Sequence, residues 1–172
     1  GMLPESGLRE VIGFYISYNH FAGTFPDGNM RAMLAVTDFD IPENSFTEHL
    51  LHLHDISENS FTGMLPESGL RVVTWFNIHT NRFAGMLPDG GMRAMLAVST
   101  FDISENSFTG MLPESGLREV TDFRIFTNRF AGALPDGGMR AMKSVTTFFI
   151  YTNSFTGMLP ESGLEQLHRN AS

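Results

Sequence analysis

Apolar residues recur along this chain at a fixed spacing. Between 117 and 135 they stand at Leu117, Val120, Phe123, Ile125, Phe130 and Leu134, with Asn128 and Gly132 between the last of them. Phe123 and Ile125 are two apart, so both point to one face of a strand. The pattern therefore predicts a short strand with its apolar side inward, a turn at Asn128, and a return of Phe130 to the same interior. The first such strand is expected over 13–17.

The stretch is copied along the chain. Its asparagine recurs at Asn19, Asn44, Asn59, Asn81, Asn106, Asn128 and Asn153, at intervals of 25, 15, 22, 25, 22 and 25 residues. Apart from the one short step, units of 22 and 25 residues alternate. A fixed period in the twenties predicts a solenoid, one unit per turn of the coil. A single turn cannot bury its own apolar face, so the turns must stack.

The phenylalanines show the stacking best. Of 16 Phe, six fill the slot two before the strand isoleucine and seven follow the asparagine. With turns ~4.8 Å apart, each slot becomes a column of rings. Each buried ring contributes ~1.5–3 kcal/mol gross, before the entropy of ordering the chain. The asparagine column has a polar task. The sharp turn leaves buried backbone groups that no regular ladder reaches, and an amide offers both donor and acceptor. The seven asparagines are read as a structural ladder, not as sites.

The skeleton LxxVxxFxIxxNxFxGxLP resembles the plant-type leucine-rich repeat, LxxLxxLxLxxNxLxGxIP. Leu117, Val120, Phe123, Ile125, Asn128, Phe130, Gly132, Leu134 and Pro135 fill its slots in order. The resemblance spans nearly the whole chain. It implies an α/β solenoid: a right-handed coil with a short-stranded parallel sheet on the concave side and short or helical turns on the convex side. The chain is then one domain, 1–172, of about seven turns.

Two connections alternate, P-E-S-G-L-R and P-D-G-G-M-R. The longer unit adds residues such as Ala94, Met95 and Leu96, and the run from Met92 to Ala97 favours a short convex helical turn with Met92 and Met95 facing inward. Methionine there is flexible core filling. The Gly-Gly pairs read as turn glycines. Arg9, Arg31, Arg71, Arg93, Arg118 and Arg140 should line one edge beside Glu5, Asp27, Glu67, Asp89, Glu114, Asp136 and Glu161. Such exposed pairs set register more than stability.

Net charge is −8, which argues against general nucleic-acid binding through a basic surface. There is no cysteine, hence no disulfide cap of the kind that closes many extracellular relatives, and this weighs against a receptor-like ectodomain. No apolar run approaches the ~20 residues of a membrane span, and no signal peptide is visible. The compartment stays open. Neither end reads as a polar cap, and caps normally keep a solenoid soluble. A piece of a longer array, or ends covered by partners, is the expectation.

The irregular turn lies at 44–59, where the usual connection is missing. It holds His49, His52 and His54 beside Glu48 and Asp55. His and carboxylate suit zinc, but the spacing matches no established motif: His49 and His52 share a face only on a helix, His52 and His54 only on a strand. A shortened turn is the better reading and no metal or other cofactor is expected. Asn170-Ala171-Ser172 is formally a glycosylation sequon.

Function is sought in the outward strand positions, which vary from turn to turn. Asp38, Asp40 and Asp55, with Glu43 and Glu58, make an acidic patch toward the N-terminal end. Adjacent Asp could also hold Ca²⁺. Trp75, His79, Arg124, Phe126, Phe149 and Tyr151, with Arg82 and Arg129 at the rim, make an aromatic and basic zone toward the C-terminal end. Exposed aromatics and Arg are enriched at binding hot spots, although drift in a long repeat also scatters aromatics. No nucleophile elbow, phosphate loop or metalloprotease helix is present. The expectation is a non-enzymatic module that binds a protein partner through the concave face or its open ends. A structural or scaffold subunit is the alternative. Ice or glycan binding, suggested by Thr80-Asn81, Thr127-Asn128 and Thr152-Asn153, is weakened because Glu-Asn pairs interrupt the row.

Overall fold

The computed structural model describes residues 13–23, 38–41, 44–46, 55–65 and 73–160. Two ranks of short strands alternate within them. The first rank holds β1 (Gly13–Tyr15), β3 (Asp38–Asp40), β6 (Trp75–Asn77), β8 (Thr100–Asp102), β10 (Asp122–Arg124) and β12 (Thr147–Phe149). The second holds β2 (Ala22–Gly23), β4 (Ser45–Phe46), β5 (Thr62–Gly63), β7 (Arg82–Gly85), β9 (Ser107–Gly110), β11 (Arg129–Gly132) and β13 (Ser154–Phe155).

Each rank pairs only with itself, in parallel. In the first rank slot meets slot, and Phe76, Phe101, Phe123 and Phe148 are successive partners. In the second the register is offset by two, so Phe83, Phe108, Phe130 and Phe155 each stand opposite the glycine of the coil before. The short step keeps its place in the first rank. The Ile41 amide donates to the Asp55 carbonyl at 3.3 Å, and the Ile56 amide to the Asn77 carbonyl at 2.9 Å. The coil with the short step therefore still joins the first rank, through an isolated parallel bridge of Asp55 to Asn77 rather than a full strand.

The core lies between the ranks. Phe76, Phe101 and Phe123 form one buried column, and Phe61, Phe83, Phe108 and Phe130 another. The rings stack at 5.4–5.7 Å between centroids in the first column and at 6.2 Å in the second. Both exceed the strand spacing that the sequence suggests, and the outer column is the wider. Coils that fan apart away from the first rank bend the array toward it, which puts the first-rank face on the inside of the curve.

The asparagine column binds coil to coil. Asn106 Nδ2 donates to the carbonyls of Ile103 in its own coil (3.2 Å) and Ile78 in the coil before (3.0 Å), while its Oδ1 accepts from the Phe83 amide at 3.0 Å. Asn44, Asn81, Asn128 and Asn153 repeat the same three-way bridge. Asn59 reaches Ile41 in the same way at 3.0 Å, and Asn19 bonds the Ile16 and Ser17 carbonyls of its own coil. The residue before the asparagine is left-handed at six of the turns: Tyr18, Glu58, Thr80, Glu105, Thr127 and Thr152 have φ between 51° and 56°.

Two one-and-a-half-turn helices, α1 (Asp89–Ala94) and α2 (Asp136–Ala141), sit on the 25-residue coils. They begin three residues earlier than the sequence suggests. Pro88 and Pro135 have the extended geometry of a helix entrance, and the acids beside them favour a first turn. Met92 and Met95 are fully buried. The Gly-Gly pair is helical rather than a turn, and close approach explains it: a Cβ on Gly138 would lie 2.6 Å from the Pro113 carbonyl oxygen, and one on Gly137 2.8 Å from that of Glu114. The edge acids and arginines pair along each helix, Arg93 with Asp89 at 4.0 Å and Arg140 with Asp136 at 2.9 Å. The His49–His54 cluster lies outside the described residues, as do the side chains of Asp38 and Asp40.

Candidate functional site

Outward side chains on the first rank form straight rows, because strand partners share one register. One row runs Asp55, Asn77, Asp102, Arg124 and Phe149. A second, one pleat further along, holds Ser57, His79, Ser104, Phe126 and Tyr151. A third runs Trp75, Thr100, Asp122 and Thr147.

The C-terminal part of these rows is a bonded cluster. Arg124 donates from Nε to Asp122 Oδ1 at 2.9 Å and from Nη2 to Asp122 Oδ2 at 2.7 Å. This two-point fork is the strongest form of the pair. Its Nη1 lies 3.9 Å from Asp102 Oδ2, and its guanidinium sits 5.8 Å from the centre of the Phe149 ring. The Asp122 hydrogen bonds raise the Arg124 pKa further, against a smaller opposing effect of burial. Phe126 and Tyr151 stack at 4.7 Å, and Phe149 meets Tyr151 at 6.2 Å with planes 55° apart. Phe149 and Tyr151 remain 45% and 57% exposed, so the cluster ends in an open aromatic corner.

Toward the N-terminal end the rows become polar and self-bonded. Asp102 Oδ1 accepts from the amide and hydroxyl of Ser104. Asp55 Oδ1 does the same with Ser57, while its Oδ2 accepts from Asn77 Nδ2 at 3.1 Å. Trp75 is 53% exposed, and His79 Nδ1 lies 2.9 Å from the Thr80 hydroxyl. The structure thus brings Arg124, Phe126, Phe149 and Tyr151 together. Trp75 stands two strands away from Asp122, across Thr100, and His79 is divided from Phe126 by Ser104. Arg82 and Arg129 open second-rank strands and are exposed. Asp122 and Asp102 complete the cluster; a sequence signal for Asp122 existed in its i, i+2 spacing to Arg124 on one strand face.

A second feature lies on the second-rank side. Met64, Met86 and Met111 are exposed in three successive coils and border a groove of about 860 Å³ that Leu87, Leu112 and Asp89 also line. Each methionine rests on a left-handed glycine of the next coil, Gly85, Gly110 and Gly132.

No protein-family model and no curated protein sequence matches the chain. Solved structures do. The plant peptide hormone receptor RGFR1, in complex with RGF2, superposes with a TM-score of 0.84 at 22% identity, over 94% of this chain and 28% of that one. The Arabidopsis receptor kinase HAESA, in complex with the peptide hormone IDA and the co-receptor SERK1, gives 0.79 at 23% over 87% and 27%. The chain has the leucine-rich-repeat solenoid fold. Its first-rank face is the concave sheet of that fold. The Arabidopsis thaliana BIR2 ectodomain matches more loosely, with a TM-score of 0.58 at 19% identity over 82% of this chain and 67% of that one. The solenoid spans under a third of the first two receptors. Among its described residues no helix is long and apolar enough to cross a membrane, and no group of three His, Asp or Glu side chains could hold a metal ion.

Proposed function

We propose that this solenoid is a non-enzymatic protein-recognition module whose partner docks on the concave sheet, anchored at Phe126, Phe149 and Tyr151 beside Arg124, with Trp75 and His79 as outlying contacts. The open aromatic corner carries the reading. Exposed aromatics beside a held arginine are the composition of an interface hot spot, and uncovered apolar rings favour a partner that removes them from water. The acidic rows toward Asp55 would steer a basic surface to the sheet. Solved structures of similar fold were captured with a peptide hormone and a co-receptor bound, which favours recognition over a purely structural role.

A photo-crosslinking side chain tests the reading. Placed at Tyr151 or Trp75 it should capture a partner from extracts of the source tissue, and at exposed Leu96, beyond α1, it should not. Trp75→Ala with Phe126→Ala should abolish the capture while circular dichroism stays unchanged. Equal capture from Leu96 and Tyr151 would overturn it.

A further inference from the structure

We infer that Arg124 is a positioning residue rather than an anion hook, and that the corner it holds takes an extended partner segment bearing an apolar side chain about three residues from a Lys or Arg. The inference rests on the concave-sheet reading above and adds the chemistry of what is bound. The Arg124 fork is taken by Asp122, and its remaining edge faces Asp102. A partner carboxylate would have to displace Asp122 and then lie against two carboxylates with one guanidinium between them. What the guanidinium does instead is lie against Phe149, and Phe149 in turn meets Tyr151 at an angle. Remove the cation and the tilted wall of the corner loses its backing.

Charge sets the rest. The rows and their turns carry the carboxylates Asp55, Glu58, Asp102, Glu105 and Asp122 against the one cation Arg124 among the described residues, and Arg82 and Arg129 stand on the other rank. A basic side chain is the group this surface attracts. Asp102 ends β8 and exposed Glu105 follows it, two strands from β12 and its Phe149. Two strand steps are ~10 Å, which an extended segment crossing the sheet covers in ~3 residues. An apolar residue in the corner thus places a Lys or Arg over exposed Glu105, next to Asp102, which is itself buried and already bonded to Ser104.

The test uses the 172-residue chain and fluorescein-labelled synthetic peptides of equal length: one with Leu three residues from Arg, one with that Arg changed to Glu, and one with the two residues adjacent. Anisotropy should show the first binding ~10-fold or more tighter than either other, a difference that Glu105→Gln reduces. Arg124→Gln separates positioning from charge. Simple electrostatics would make the Arg peptide bind more tightly once a cation is gone; a positioning role makes it bind more weakly, with unchanged melting. Asp122→Asn should also weaken it and should not rescue the Glu peptide. A Glu peptide that binds as well or better, or is rescued by Asp122→Asn, makes Arg124 an anion hook and overturns the inference while concave binding stands. Binding that ignores Tyr151→Ser overturns the concave reading and this inference with it. Failure of every peptide to bind overturns the inference alone.

Discussion

The concave sheet and the methionine edge are built from the same repeat, yet their exposed residues obey opposite rules. On the edge one residue recurs: Met64, Met86 and Met111 stand in equivalent positions. On the sheet no residue recurs in successive coils: Asn77 is followed by Asp102, Arg124 and Phe149. Geometry explains the difference. Each edge methionine lies over the glycine of the next coil, with its Cγ 2.8–2.9 Å from where a Cβ would stand at Gly85, Gly110 or Gly132. The glycine makes room for it, and in the next coil the smaller Ala133 fills the same place over Gly157. Outward side chains on the sheet meet one another along and across the rows, so one can change without the coil shifting. A regular face records what stacking requires, and an irregular one is free to record a partner.

The sharpest way to break this comparison is to change two phenylalanines of one sheet. Phe101 points inward, fully buried between Phe76 and Phe123, while Phe149 points outward. Phe101→Ala should cost ~3–5 kcal/mol in chemical denaturation, through lost burial and an unfilled cavity. Phe149→Ala should stay within ~0.5 kcal/mol, as for other surface changes. Similar losses would mean that the outward rows also hold the fold together.

Asparagines give the next contrast. Asn106→Ala strips partners from the Ile78 carbonyl and the Phe83 amide of the neighbouring coil. A loss of ~2–4 kcal/mol is expected, from buried groups left unsatisfied at ~1–3 kcal/mol each. Asn77→Ala, on the outward row and bonded to Asp55, should cost much less. Equilibrium melts of the two variants side by side decide it.

On the edge, Gly110→Ala should cost ~1–2 kcal/mol, because a left-handed φ strains any side chain there and Met86 stands in the way. Adding Met86→Ala should recover the steric part of that loss and leave the backbone part. Full additivity in thermal melts would mean that methionine and glycine do not constrain one another. Peroxide reads the same edge without mutation. Met64, Met86 and Met111, each at least 66% exposed, should oxidise well before buried Met92, Met95, Met139 and Met142 in peptide mass mapping.

Much of this was legible in the residues, for a physical reason. A slot repeated at a constant interval must stack on its copy, so the first-rank strands, both phenylalanine columns and the burial of Met92 and Met95 were legible. The second rank of strands was not, because the residues after each asparagine signal only a return to the interior. Helix starts were not either, because Gly-Gly signals a turn until one sees that the preceding coil leaves no room for a Cβ beside Pro113 and Glu114. The exposed methionine row is hidden for a similar reason, since its constraint is a contact across coils. At the candidate site, sequence order grouped Trp75 and His79 with Arg124. It carried no measure of the strands between them, nor of Asp122 closing on the guanidinium.

The smallest expected effect tests whether the sheet-edge turn shares the regular rule or the free one. Thr127 precedes its asparagine in the left-handed region at φ 52°, and it is exposed. A β-branched residue is strained there, whereas asparagine adopts this conformation readily. Glutamate fills the same place at Glu58 and Glu105, so the turn accepts more than one side chain. If relief of backbone strain outweighs whatever the threonine side chain contributes, Thr127→Asn should stabilise by roughly 0.5–1 kcal/mol in thermal melts, the scale on which relieved backbone constraints act. If Thr127 instead contributes a contact to its neighbours, the substitution should be neutral or destabilising. The positions before each asparagine would then belong with the methionine edge, fixed by stacking, and the freedom to vary would be confined to the strand rows where the aromatic corner lies.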